Sequence, residues 1–222
     1  METQSFKRIQ YVIKYPEYFS ESEKYPLIVF LHGAGGRGTD ISCVKNNPFF
    51  IETEKFKFNA VVFAPQCYAD SWFDIFEQLG DFVDFAIAQP YIDKDKVYLI
   101  GASMGGYATW QMAMTKPEVF AAVVPICGGG MYWNAARLKN MGVWAFHGSE
   151  DQVVFCEESK KMIEAIHSAG GRRAKLTICD GVGHYSWRNA YNCRELFDWL
   201  FSQKRSAEEI EESKYNNSEQ FG

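Results

Sequence analysis

No apolar run in this 222-residue sequence approaches the length of a membrane span, so no membrane-crossing helix is expected. Positive charge is not in excess. Twenty-three Lys and Arg against 28 Asp and Glu leave a net charge of -5, which gives no electrostatic reason to expect nucleic acid or an anionic membrane as a partner. The six cysteines (Cys43, Cys67, Cys127, Cys156, Cys179 and Cys193) form no C-x-x-C pair and show no metal-ligand spacing. In a chain of this length they read as reduced, small core residues rather than as a disulfide framework. Residues 1–15 contain no uninterrupted apolar core and no small-residue cleavage site, so they do not read as a secretion signal, and a cytoplasmic home is expected. There is no internal repeat and no linker. One domain over residues 1–202 is expected, followed by a polar, charged tail over 203–222 in which Glu208, Glu209, Glu211 and Glu212 cluster in solvent.

What is present is an alternation of strand and helix signals. Apolar or alternating runs predict strands over residues 6–14 (a sheet edge), 25–31, 59–64, 97–100, 120–126, 143–146 and 174–179. Helical spacing predicts helices over 72–88, from Met104 until Pro117 ends the pattern, over 156–169 with Gly170 and Gly171 as the stop, and over 187–201. Such alternation predicts an α/β fold: a mostly parallel central sheet with helices on both faces, as a three-layer αβα sandwich.

The most informative stretch lies between the fourth strand and its helix. Gly101-Ala102-Ser103-Met104-Gly105 reads G-x-S-x-G. A strand that turns at once into a helix forces its central residue into a strained backbone, and glycines on either side leave room for the close approach. The Ser103 hydroxyl then stands proud of the sheet at the positive end of a helix, where a developing negative charge is favoured.

A serine hydroxyl needs a general base to become a nucleophile, and the base needs an orienting partner. The four histidines are His32, His147, His167 and His184. His167 falls near the end of a helix. His32 and His147 each follow a strand and precede a glycine, as turn-packing residues do. His184 lies in a loop after the last strand, between glycines and Trp187. Chain order selects it, because enzymes with this elbow run serine, acid, histidine. For the acid, Asp151 follows the strand before last, with Glu150 and Asp180 as rivals. Asp180 is only four residues from His184, which is poor geometry for the far imidazole nitrogen. The oxyanion of a tetrahedral intermediate needs two donors. The backbone N–H of Met104 supplies one, and Ala34 or Gly35 in the glycine loop His32–Gly38 is placed for the other. That loop lacks the G-K-[ST] ending of a phosphate-cradling loop.

His32-Gly33 with its glycine run, Gly101–Gly106, His147-Gly148 with Asp151, and Gly183-His184 with Trp187 together resemble the α/β-hydrolase superfamily over roughly residues 25–201. The resemblance is to its small esterases: the phospholipase/carboxylesterase, dienelactone hydrolase and polyhydroxybutyrate-depolymerase/feruloyl-esterase-like groups, and the peptidases of the prolyl oligopeptidase clan. It implies hydrolysis of carboxylic esters through an acyl-enzyme by Ser103, His184 and Asp151, with no metal or organic cofactor required. In one respect the chain departs from the pattern. The segment before Tyr25 is short, so one of the usual leading antiparallel strands is expected to be missing. Only residues 127–142 lie where relatives insert a lid, too few for a cap, so an open site is expected. That suits soluble or sugar- or aryl-linked esters. Trp72, Tyr107, Trp133, Tyr185 and Trp187 are candidate pocket walls, with Trp133 the one expected to be exposed. Thioester or peptide hydrolysis by the same triad is the enzymatic alternative. Peptidase ranks below esterase because such enzymes carry a gating domain for which this sequence has no segment. A non-catalytic protein of the same fold would be expected to have lost a triad member, and none is missing.

Overall fold

The structure, a computed structural model, describes residues 1–205. The acidic cluster at 208–212 lies outside them. Eight strands form one sheet: β1 (Glu2–Phe6), β2 (Ile9–Lys14), β3 (Tyr25–Leu31), β4 (Val61–Pro65), β5 (Ile92–Ala102), β6 (Ala122–Ile126), β7 (Gly142–Gly148) and β8 (Ala174–Cys179). Their order is β1-β2-β4-β3-β5-β6-β7-β8; β1–β2 and β2–β4 are antiparallel and all other neighbours parallel. The α/β class and mostly parallel sheet are as the sequence predicts.

Helices cover both faces because the buried strands are apolar on both. Leu27, Val29 and Leu31 of β3 face one cluster, shared with α3 (Phe76–Ile87), α4 (Met104–Thr115) and α5 (Glu157–Ser168). Ile28 and Phe30 face the other, shared with α1 (Ser42–Lys45), α2 (Pro48–Thr53), α6 (Trp187–Asn192) and α7 (Arg194–Ser202). The described start of the tail is tied back to the sheet: Tyr98 Oη donates to the Gln203 carbonyl and Arg205 N–H to the Asp95 carbonyl. All six cysteines are unbridged. Among the described residues no helix is long and apolar enough to cross a membrane.

Four expectations are corrected. No leading strand is missing: the single strand expected over 6–14 is the second arm of a hairpin, and Glu2–Phe6 supplies the first. The hairpin turns at Lys7, whose φ of 52° lies in the left-handed region without the glycine or asparagine that usually announces such a turn. Except for Phe6, β1 is exposed along its length, so it has no apolar stripe for a pattern to find. The helix expected over 72–88 begins only at Phe76, because Ser71 and Asp74 close a turn on each other's backbone and side chains. The helix expected over 187–201 is two helices broken at Cys193, which is extended with ψ 103°. Between β3 and β4, α1, α2 and a 3₁₀ turn fill a stretch in which no element was anticipated.

Candidate active site

β5 ends at Ala102 and α4 begins at Met104, so Ser103 carries the whole change of direction. Its φ of 56° and ψ of -116° are a strained conformation for a residue with a side chain. The neighbouring glycines are required by space. A Cβ on Gly105 would lie 2.1 Å from the Leu31 carbonyl oxygen, and one on Gly101 would lie 2.2 Å from that of Gly105. The strain is held by the Ser103 N–H, which donates to the Ile126 carbonyl at the end of β6.

The turn aims Ser103 Oγ at His184 Nε2, 2.8 Å away. On the other side of the ring, Nδ1 is 2.8 Å from Asp151 Oδ2. An ionised carboxylate can only accept, so Nδ1 carries the proton and leaves Nε2 free to accept from the serine hydroxyl. Asp151 is buried, and its Oδ1 accepts the Val153 and Val154 N–H groups at 2.9 Å each. Burial works to raise its pKa, but the bonds from His184, Val154 and Val153 outweigh it and hold the carboxyl below its ordinary value. Glu150, one of the two rivals for this place, is exposed beside it, as is Asp180. The structure therefore brings Ser103, His184 and Asp151 together and leaves both rivals outside.

His32 lies beneath the glycine loop, fully buried. Its Nε2 accepts the Cys67 N–H at 3.0 Å, so its proton sits on Nδ1 and donates to the Gly33 carbonyl at 2.6 Å. Burial pushes its pKa down to about 4, which keeps the ring neutral in that role. His167 lies in the last turn of α5 and bonds the Ala174 carbonyl through Nε2. The loop held by His32 forms a 3₁₀ turn, Ala34–Gly36, packed beside the serine: a Cβ on Gly33 would lie 3.5 Å from Ser103 Cβ. Met104 opens α4 and Ala34 opens the 3₁₀ turn, positions where backbone N–H groups have no intrahelical acceptor.

Ala34, Gly35, Ser103, His184, Tyr185 and Trp187 line one cavity of about 440 Å³, together with Asn46, Asn47 and Pro48. Those last three residues belong to the unanticipated α1–α2 segment. A second cavity, of about 490 Å³, is lined by Phe73, Phe76, Tyr107, Gln111, Met131 and Glu158. It begins one helical turn from the serine, since the Tyr107 N–H donates to the Ser103 carbonyl. Of the proposed wall residues, Tyr185 and Trp187 flank the first cavity and Tyr107 the second. Trp133 is 72% exposed, on a 3₁₀ segment, Tyr132–Leu138, between β6 and β7. Trp72 is the correction: it is wholly buried, its Nε1–H donates to the His32 carbonyl, and its ring packs on the His32 imidazole. Its neighbour Phe73 is the half-exposed aromatic that lines a cavity, a one-residue difference that no spacing argument resolves inside a turn.

Cys127, the residue after β6, lies within 4.8 Å of the ligand atoms of Asp151 and His184, the one such trio that could hold a metal ion among the described residues. Burial pushes its pKa up to about 12, so it is a neutral thiol there, and the other two are bonded to each other.

A sequence model of the prolyl oligopeptidase family (Peptidase_S9) matches residues 63–135. The chain is 25% identical over 166 residues to a "Probable dipeptidyl-peptidase 5" of Aspergillus terreus, covering 63% of this chain and 21% of that one. It is 47% identical over 47 residues to poly(3-hydroxyalkanoate) depolymerase C of Paucimonas lemoignei, covering 21% and 11% respectively. It thus spans only a small part of either curated relative. The crystal structure of a thermostable esterase superposes with a TM-score of 0.79 at 32% identity, over 92% of this chain and 63% of that one.

Proposed function

The chain belongs to the α/β-hydrolase superfamily, and from that premise we propose that it is a serine hydrolase of carboxylic esters. The observation that carries this reading is the line from Ser103 Oγ through both nitrogens of His184 to Asp151 Oδ2, with both contacts at 2.8 Å. Ser103 attacks the acyl carbon as His184 Nε2 takes its proton. The oxyanion collects at the N–H groups of Met104 and of Ala34 or Gly35, where fixed donors stabilise charge that exists only in the transition state. His184 returns the proton to the leaving alcohol, and water repeats the cycle to release the acid. Asp151 keeps Nδ1 protonated and stabilises the imidazolium. Nothing in this sequence of steps draws on a metal or organic cofactor.

An ester substrate is supported by the likeness to the thermostable esterase over most of the chain. Accessible cavities beside the serine support it as well. Phe73, 50% exposed, and Tyr185, 66% exposed, offer aromatic walls suited to aryl- or sugar-linked acyl groups. Peptide hydrolysis is a second reading, favoured by the match to the prolyl oligopeptidase family and to the dipeptidyl-peptidase.

Turnover of p-nitrophenyl acetate through octanoate, alongside an aminoacyl p-nitroanilide, tests both. The expected result is ester turnover that Ser103→Ala reduces by several powers of ten, the scale on which a triad member acts. Serine-dependent anilide cleavage without ester cleavage would transfer the assignment to a peptidase. Turnover unaffected by Ser103→Ala would defeat both readings.

A further inference from the structure

The carboxylate that partners His184 has a second imidazole against it. His147, the second-to-last residue of β7, is wholly buried. Its Nε2 lies 2.8 Å from the Val154 carbonyl oxygen and 3.3 Å from Asp151 Oδ2. A carbonyl oxygen cannot donate, so Nε2 carries a hydrogen and donates it to Val154, while the same N–H presents its positive end to Asp151 Oδ2 as a charge contact. The opposite nitrogen, Nδ1, is 2.7 Å from Ser159 Oγ on α5, and that hydroxyl reaches the Gly128 carbonyl at 3.2 Å. A carboxylate accepts in about four directions. Asp151 has two backbone N–H groups on Oδ1 and two imidazoles, those of His184 and His147, on Oδ2.

We propose that His147 is a positioning residue for the reaction inferred above. Its Nε2–H, held in place by the Val154 carbonyl, sets a positive dipole 3.3 Å from Asp151 Oδ2 and takes a share of that oxygen's charge. His147 thereby sets how strongly Asp151 draws positive charge onto His184. The inference rests on the Ser103–His184–Asp151 reading. A hydrogen bond and a neighbouring dipole draw on the same electron density of Oδ2, and in a buried site with little water that competition is not screened away. With the His147 donor gone, Oδ2 is a stronger partner for the His184 imidazolium, and the free base that accepts the serine proton forms only at higher pH.

Few other charges face this pair. Glu157, in the first turn of α5, is the ionisable group beside His147. Its own backbone N–H and Lys160 hold it below the usual carboxylate range, so it stays ionised and does not switch. Cys127, Cys156 and Tyr107 face Asp151, and burial raises all three, which leaves them neutral.

The test uses His147→Gln and His147→Asn in the intact protein. A glutamine amide nitrogen reaches the place of Nε2, against Asp151, whereas that of asparagine reaches the place of Nδ1, against Ser159. The readouts are kcat and KM on a short p-nitrophenyl ester, the pH profile of kcat/KM, and the thermal midpoint. His147→Gln is expected to keep kcat within about threefold, whereas His147→Asn loses about tenfold or more with KM nearly unchanged, the scale of one hydrogen bond to a charged group. The acid limb of the profile moves to higher pH in His147→Asn alone. Equal kcat and equal limbs in the two variants, however far the thermal midpoint falls, make His147 a packing residue and overturn the proposal. Should His147→Asn not fold, Ser159→Ala frees the ring to turn away from Asp151; an upward-moving acid limb supports the proposal and an unmoved one overturns it. Absence of any Ser103-dependent turnover in the wild type is a separate outcome, which overturns this inference together with the reading beneath it.

Discussion

Asp151→Asn is expected to lower kcat by about four powers of ten while the protein still folds. The size of the effect follows from what an amide cannot do in this place. Oδ1 accepts two backbone N–H groups, and Oδ2 accepts the His184 N–H and faces the positive end of the His147 N–H. An asparagine NH₂ is itself a donor, so one pair loses its acceptor whichever way the amide turns. With the NH₂ toward the rings, His184 is driven to the other tautomer. Nε2 then points a hydrogen at the Ser103 hydroxyl and can no longer take its proton. With the NH₂ toward the loop, two buried N–H groups go unpaired, at a cost of about 1–3 kcal/mol each. Ester turnover measured beside far-ultraviolet circular dichroism separates the two. Near-native ellipticity with kcat reduced by less than about tenfold would mean that Asp151 is not the orienting acid.

The second large effect is on stability. Gly105→Ala is expected to cost about 3 kcal/mol or more, read as a lower urea midpoint or as loss of soluble protein. The new Cβ would lie 2.1 Å from the Leu31 carbonyl oxygen, so β3 and the first turn of α4 would have to separate. Backbone on both sides cannot give way as a flexible side chain can. Gly35→Ala is the control: a Cβ there meets nothing within 4 Å, and stability is expected to stay within about 0.5 kcal/mol of the parent. A Gly105→Ala protein with the parent's urea midpoint would show that the elbow is less tightly packed than its distances indicate.

The elbow was readable in the sequence because three local requirements meet in five residues: an apolar strand, small neighbours and a helix start. Each leaves its own mark on the pattern, and the structure has that strand and helix at 92–102 and 104–115. Chain order then singled out His184, and position left Asp151 with rivals that only three-dimensional distance could set aside. The misses share one physical origin: they are decided by contacts between distant segments or by single backbone angles. Trp72 and Phe73 are adjacent aromatics in a turn, and which one goes inside depends on where the His32 carbonyl lies. The polar strand β1 is held by backbone pairing to β2, which carries no hydrophobic signature. The break at Cys193 falls between two amphipathic helices that continue the same buried stripe of Ala190, Tyr191, Leu196 and Phe197. His147 does carry a signal, since it stands four residues before Asp151. A strand end followed by a tight turn can bring such a pair together, yet the spacing alone gives no reason to prefer that arrangement to ordinary turn packing.

That Ser103 is a nucleophile activated by His184 is tested most directly by its reaction with an organophosphate, diethyl p-nitrophenyl phosphate, followed by mass spectrometry of the digested protein. The expected result is stoichiometric phosphorylation confined to the peptide that carries Ser103, with parallel loss of ester turnover. Labelling is expected to slow sharply in His184→Gln and to be absent in Ser103→Ala. Turnover that continues in fully labelled protein, or a label that falls on another residue and abolishes turnover there, would contradict it.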